Sequence, residues 1–400
     1  MARVLLLLPT ATYRARDFLA AARRLGLDVV VGSEQAQVVG DDRAHAVLVP
    51  LDDIDAATEA VGDLDRRLPL DAVVAVDDQG VVVAGEVAAR MGLPHNPAEA
   101  LEATRDKSRL RARLAAAEVS QPAYRVVETA AAAREAAVEL GVPVVVKPVS
   151  LSASRGVIRV DDVDEVAGVA QRVRRIQGSG PILVERYVPG AEVALEGLVH
   201  DGELEVLALF DKPDPLEGPY FEETLYVTPS RLAEASQHEI VRVTEAAVAA
   251  LGLRTGPVHA ELRVPAPGSA VLLEVAARSI GGLCARSLVF GLGVSLEELI
   301  LRQATGRPLG SLNRAQAASG VMMLPIPRRG TLVAVHGQDA VRAMPGIDGL
   351  EITIPTGRIV EPLPDGDRYL GFVFAHGETA ADVERSLRTA YAALIVEIAS

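Results

Sequence analysis

Two glutamates on neighbouring apolar segments offer the clearest chemistry in this sequence. Glu261 lies within Val258–Val264 and Glu274 within Val271–Val275, with a Pro/Gly turn at Pro265–Gly268 between them. Antiparallel pairing would bring both carboxylates onto one face, where their repulsion is destabilising without a cation. A hard, oxygen-seeking ion such as Mg²⁺ suits such donors when phosphate oxygens complete its shell. Leu272-Leu273-Glu274-Val275-Ala276 is also too apolar for an ordinary surface strand. Shortly after comes Arg278-Ser279-Ile280-Gly281-Gly282. A guanidinium matches a phosphoryl group bidentately, and the amides of Gly281 and Gly282 can approach a developing oxyanion. Arg278, Gly281 and Gly282 are therefore the candidate catalytic groups.

Further upstream, Val144-Val145-Val146-Lys147-Pro148 ends a buried strand on a lysine, whose ammonium must emerge to meet a charged partner. The loop after it carries Ser150, Ser152 and Ser154 and turns at Gly156. Small residues let hydroxyls and backbone amides approach phosphate oxygens. Next, the strand Ile182–Val188 runs into Pro189-Gly190-Ala191-Glu192. The backbone edge of Glu185, Arg186, Tyr187 and Val188 can read a base there, while Glu192 reaches sugar hydroxyls. His259 stands two residues from Glu261 on the same strand face, and with Glu196 and Lys212 it is taken as a candidate substrate contact. Lys212 opens a charged, proline-rich excursion from Asp211 to Glu223, a type of loop that often serves as a lid or specificity element. Blander readings hold elsewhere. Cys284 is read as a small buried hydrophobe, and the 7 histidines lack the spacing of a zinc site.

These side chains must be positioned by a chain of 400 residues, enough for two to four domains. A first region, 1–95, alternates apolar strands (4–8, 29–31, 46–49, 72–76) with helices, which predicts a parallel α/β sheet. No G-x-G-x-x-G follows its first strand, which argues against a dinucleotide site. Residues 96–305 form a second region. It starts with a linker helix (96–120), continues with an A part (121–185) of helices and short strands, and ends with a B part (186–305). In the B part, alternation from Val193 to Phe210 predicts antiparallel strands with one solvated face. The third region, 306–400, is an α+β cap with a closing helix near 380–395.

Composition narrows the function classes. A net charge of −14 and 3% aromatic residues argue against nucleic-acid partners. No apolar stretch approaches membrane-spanning length, so no membrane is expected. The lone cysteine excludes an intrachain disulfide and suits a reducing cytosol. An anionic ligand would need a few local cations to overcome the repulsive global field.

The order of these motifs resembles the ATP-grasp superfamily over essentially the whole chain, and within it the carboxylate–amine ligases that include L-amino acid ligases. The resemblance implies an α/β and α+β multidomain architecture: an N-terminal parallel α/β domain, a two-part grasp and a C-terminal cap. It implies that Lys107, in Arg105-Asp106-Lys107, and Lys147 bind ATP phosphates, that Glu185–Val188 surround adenine and that Glu192 meets the ribose. Glu261 and Glu274 would hold Mg²⁺, with Mn²⁺ as an alternative ion, and Arg278 would be catalytic. The implied reaction joins a carboxylate to an amine, amino acids among them, through an acyl phosphate, in a cytoplasmic monomer or homodimer. A bicarbonate-using carboxylase of the biotin carboxylase type is the alternative, and a catalytically silent ATP-binding scaffold ranks last. Two departures stand out. Ala276 occupies the Asn position of the family's E-x-N motif, and Ser152–Gly156 replaces the glycine-run loop of biotin carboxylase.

Overall fold

The computed structural model describes residues 2–10, 12–35, 44–366 and 368–399. The first region is a parallel sheet of β1 (Arg3–Leu7), β2 (Asp28–Ser33), β3 (Ala44–Leu48) and β4 (Ala72–Ala75), with order β3-β2-β1-β4. Helices α1 (Ala15–Arg24), α2 (Ile54–Asp65) and α3 (Val81–Arg90) join the strands. The apolar run of β1 is buried on both sides, as its sequence predicts. Val4 and Leu6 pack in the cluster that holds Phe18 and Ala21 of α1, while Leu5 and Leu7 join Val61 of α2 and Val87 of α3. The chain leaves β1 toward β2 and β3, then crosses back to place β4 on β1's other side. That reversal opens a crevice at the carboxyl ends of β1 and β4.

The linker differs from the single helix expected over 96–120. It breaks into α4 (Ala98–Arg105) and α5 (Lys107–Ala116) at Asp106. Asp106 is extended (φ −114°, ψ 107°), and its carboxylate accepts the amides of Ser108 and Arg109. An N-cap of this kind satisfies helix-end donors and restarts the helix. It also sets Lys107 at the first turn of α5, with its side chain pointing out of the helix start.

The A part is a sheet of order β5-β8-β6-β7, made by β5 (Tyr124–Val127), β6 (Val144–Pro148), β7 (Ile158–Val160) and β8 (Ile182–Arg186). Its core face is closed by α6 (Ala130–Leu140) and α7 (Val163–Gln177). The B part contributes β9 (Ala191–His200), β10 (Glu203–Lys212), β11 (Leu225–Thr228), α8 (Glu234–Leu251), β12 (Thr255–Val264) and β13 (Val271–Ala276). The hairpin of β14 (Val289–Phe290) and β15 (Val294–Ser295) then leads to α9 (Leu296–Ala304).

The cap adds β16 (Ala318–Leu324), β17 (Gly330–His336), α10 (Gln338–Arg342), β18 (Ile347–Ile352), β19 (Ile359–Val360), β20 (Gly371–Gly377), α11 (Ala380–Ala392) and β21 (Ile395–Ala399). The closing helix therefore stops before Ile395, which starts a strand paired with β17. Nor does the cap stand apart. β16 pairs with β11, so one antiparallel sheet runs β13-β12-β9-β10-β11-β16-β20-β18 through the expected boundary at 306. This seam is tight at Gly320: a Cβ there would lie 2.6 Å from the Tyr226 carbonyl oxygen and 2.8 Å from Val383 of α11. Overpacking a closed seam costs typically 1–3 kcal/mol. Gly320→Ala is therefore expected to lower unfolding stability by about that amount, read as a lower urea midpoint; an unchanged midpoint would mean that the seam relaxes freely.

Candidate active site

One face of the large sheet carries most of the chemistry. In register, Glu192 of β9 pairs with Lys212 of β10 and Arg263 of β12, Glu196 with His259, and Glu261 with Glu274 of β13. Side chains two apart on a strand share a face. Glu192, Glu196, Lys212, His259, Glu261, Arg263 and Glu274 thus point one way, while Val193, Leu195, Ala260, Leu262 and Val275 enter the core beneath. The sequence reading of paired carboxylates on adjacent antiparallel strands holds for Glu261 and Glu274. Glu261 and Glu274 have side-chain exposures of 25% and 28%.

This face is the floor of a cavity of about 720 Å³. Of the residues singled out from sequence, all but Gly156, Glu196 and Lys212 line it. Lys147 lies 2.8 Å from Glu185, whose other oxygen accepts from Arg111 Nε at 2.6 Å. Burial, with Arg111 and Lys107 nearby, lowers the Lys147 pKa against the pull of Glu185. Burial would raise Glu185, but Arg111 and Lys147 hold it below the usual carboxylate range. Lys107 meets Glu274 at 3.2 Å and donates to the Leu151 carbonyl of the serine loop at 2.7 Å. In that loop Ala153 and Ser154 both adopt positive φ (56° and 54°). Such consecutive conformations are rare for non-glycine residues.

Three expectations need correction. The amide of Gly156 donates to the Pro364 carbonyl at 3.1 Å, so it latches the loop to the cap instead of facing the cavity. Lys212 is enclosed by Glu192 at 2.9 Å, Glu261 at 3.6 Å and Glu223. It neutralises carboxylates and has no surface for a substrate. Glu196 is 0% exposed, behind the cavity wall. Glu192 does line the cavity, but its oxygens are engaged by Lys212 and Arg263. Cys284 is 1% exposed, and burial pushes its thiol pKa up, as befits a packing residue.

Sequence reasoning missed a contribution from the first region. Pro9, Thr10, Thr12 and Tyr13, after β1, and Asp77–Gln79, after β4, open the crevice at the strand-order reversal directly onto the cavity. Asp78 binds Arg278 through two contacts, Nε–Oδ1 at 3.0 Å and Nη2–Oδ2 at 3.1 Å. Burial would raise the Asp78 pKa, but Arg278 holds it low. Burial would lower Arg278, but Asp78, with Glu274 nearby, keeps it firmly cationic. Arg14 reaches the same loop, donating to the Val76 carbonyl at 2.7 Å and to the Ser279 hydroxyl at 2.5 Å. A signal existed: two aspartates directly after a buried parallel strand, the usual ligand edge of such sheets. Glu223, at the far end of the 211–223 excursion, was also missed. Its oxygen, with those of Glu192 and Glu261, falls in a set all within 4.8 Å of one another.

Comparison with known proteins accounts for this arrangement. Residues 140–287 match the family described as ATP-grasp domain, 19–95 the ATP-grasp N-terminal domain, and 322–399 the L-amino acid ligase C-terminal domain 2. The crystal structure of L-amino acid ligase from Bacillus licheniformis superposes with a TM-score of 0.85 at 26% identity, covering 100% of this chain and 99% of that one. The chain belongs to the ATP-grasp superfamily. The protein y4rH of Sinorhizobium fredii is 25% identical over 98% of this chain and 82% of its own length. Alanine–anticapsin ligase of Bacillus subtilis is 26% identical over 58% of this chain, and the match spans 53% of that ligase, about half its length. The ATP-grasp fold explains why two sheets and a serine loop close around one cavity. No helix among the described residues is long and apolar enough to cross a membrane.

Within this ATP-grasp site, Ala276 lies opposite His259 in the β12–β13 ladder. His259 meets Glu196 through Nδ1 at 3.0 Å and Glu261 through Nε2 at 3.5 Å. Burial alone would depress the imidazole, but its bonds to Glu196 and Glu261 prevail and raise the pKa to about 9. A histidine raised from an ordinary value of about 6.5 stabilises the fold fully below that value and loses the contribution as pH rises through about 9. Wild type should therefore exceed His259→Gln in urea stability most at the acid end of that window. The advantage should fade toward its alkaline end; a pH-independent difference would contradict a charged His259.

Proposed function

We propose that this chain is an ATP-dependent ligase that joins a carboxylate to an amine, releasing ADP and phosphate through an acyl phosphate. The observation that carries the reading is convergence. Two opposed carboxylates, Glu261 and Glu274, share a cavity with Lys107, Lys147 and Arg278 and with the Ile280–Gly282 loop. ATP-grasp ligases form carbon–nitrogen bonds, and the two named ligases that this chain resembles act on amino acids. Amino acids are accordingly the substrates proposed for both the carboxylate and the amine.

The division of labour follows from the side chains. Lys147 and Lys107 stand at the mouth of the serine loop, where they neutralise the ATP phosphates against a chain of net charge −14. Ser150, Ser152 and Ser154 border the same space, and the edge formed by Arg186, Tyr187 and Val188 flanks it for the base. Glu261 and Glu274 fit a divalent cation, Mg²⁺ or Mn²⁺: they are oxygen donors, partly exposed, on opposed strand positions. A cation held there would neutralise charge on the transferring phosphoryl group. Arg278, aligned by Asp78, faces the terminal phosphate and then the acyl phosphate. The Gly281 and Gly282 amides lie beside it for the developing oxyanion. Little bond-making falls to the protein itself; positioning and charge do the work.

Removing one such preorganised group costs roughly 10²–10³-fold in rate. Lys147→Ala and Glu274→Ala should each lose ATP turnover by that order while keeping the wild-type circular dichroism spectrum. Near-normal turnover in either variant would remove the site assignment. The reaction type has its own test, a phosphate-release screen over pairs of amino acids and small acids. The spent nucleotide should be ADP, and hydroxylamine offered in place of the amine should trap a hydroxamate. AMP formed in step with the amide would overturn the acyl-phosphate route.

A further inference from the structure

Glu196 needs an explanation that substrate contact no longer supplies. It is wholly buried, and taking a carboxylate out of water costs several kcal/mol. Its partners come from two directions. Oε2 accepts from Nδ1 of His259 at 3.0 Å, and the Ile280 amide donates to both oxygens at 3.1 and 3.0 Å. The sheet explains the first contact, since Glu196 pairs directly with His259 across β9 and β12. The second arises because the chain doubles back after β13, bringing the Ile280 amide over β9. His259 in turn faces Glu261 at 3.5 Å.

A buried ionic group is poor evidence for stability, because apolar residues of similar volume often serve the fold equally well. What Glu196 does hold is a relation between two parts of the site. Through His259 it reaches Glu261, beside the transferring phosphoryl group. Through the Ile280 amide it reaches the loop that carries Gly281 and Gly282. The rest of that loop is pinned from the first region, Arg278 by Asp78 and Ser279 by Arg14. Glu196 is its tie to the grasp sheet.

We infer that Glu196 is a positioning residue for ligation, fixing the Ile280–Gly282 loop and Glu261 in one geometry from behind the cavity wall. This rests on the acyl-phosphate reading above. If the loop drifts from Glu261, the acyl phosphate still forms but is less well shielded, so water competes with the amine. The signature is uncoupling, with ATP spent without an amide.

Glu196→Gln tests this in the full-length enzyme with ATP and a carboxylate–amine pair that wild type joins. The amide keeps the volume and an acceptor for the Ile280 N–H, but removes the charge facing His259. Losing a supporting partner of this kind typically costs 10–100-fold. Amide formation should fall in kcat by roughly 10–100-fold, with KM for ATP little changed and phosphate released in clear excess over amide. Wild-type kcat with one phosphate per amide, or a parallel loss of ATP binding, overturns the inference. Should Glu196→Gln fail to fold, His259→Gln reads the same coupling from the cavity side, and normal kcat and stoichiometry there overturn it equally. A wild-type enzyme that forms no amide from any pair fails the ligase reading itself. Failure of this inference alone shows as an active wild type and an equally coupled variant.

Discussion

Charge that leaves water must find a partner, and that constraint organises the centre of this molecule. One face of the β9–β10–β12–β13 sheet carries four carboxylates and three cations, and the paired ones answer each other across the strands. Lys212 sits among carboxylates that would otherwise repel, and its ammonium is held well above its ordinary pKa despite burial. Glu223 is raised to about 6 by burial, with Glu261 and Glu192 adding to the rise against the pull of Lys212, so one ammonium does not fully offset the carboxylates around it. Glu261 and Glu274 remain partly open to the cavity, one answered by Lys212 and His259 and the other by Lys107. Glu261 and Glu274 thus keep partly exposed carboxylate edges in the cavity that Lys107, Lys147 and Arg278 also line, the mix of charges that the proposed cation and nucleotide would meet.

The same constraint binds the first region to the grasp. Without Asp78 the half-buried Arg278 guanidinium would lose its carboxylate partner, and Asp78 stands at the carboxyl edge of β4. Arg14, itself almost wholly buried, joins the Val76 carbonyl to Ser279. The loop after β13 is therefore shared property: its conformation depends on two domains at once. The serine loop is likewise held from two sides, by Lys107 through Leu151 and by the cap through Pro364.

Much of this was legible in the residues. The apolar run of β1, the antiparallel pairing over Val193–Phe210, the opposed Glu261 and Glu274, and the bland reading of Cys284 all follow from local pattern. The solvated face expected of Val193–Phe210 does not, since Val193–Val199 are buried on both sides of β9 by packing from other regions. Pattern failed where one side chain redirected the backbone or a remote partner claimed it. Asp106 interrupts a helical stretch because its carboxylate accepts the Ser108 and Arg109 amides, which a continuous helix would give to the Thr104 and Arg105 carbonyls. Glu196 and Lys212 look like site residues because they lie on the site's face, yet neighbours separated by tens of residues enclose them. Gly156 belongs to a phosphate-type loop, but its amide is already engaged by Pro364.

By itself the sequence determined which side chains share a strand face, that β1 is buried on both sides, and the order of motifs that marks an ATP-grasp chain. Those properties depend on spacing of two or three residues and on local hydrophobicity, both of which are written in the chain. Only the tertiary structure decided that Asp78 and Arg14 complete the Arg278 loop, that β16 continues the grasp sheet into the cap, and that Glu196 lies buried behind the wall. Each of these is a pairing between residues far apart in sequence, selected by the cost of leaving a buried charge or strand edge unsatisfied. That cost is set by the assembled fold, and no local window of residues contains it.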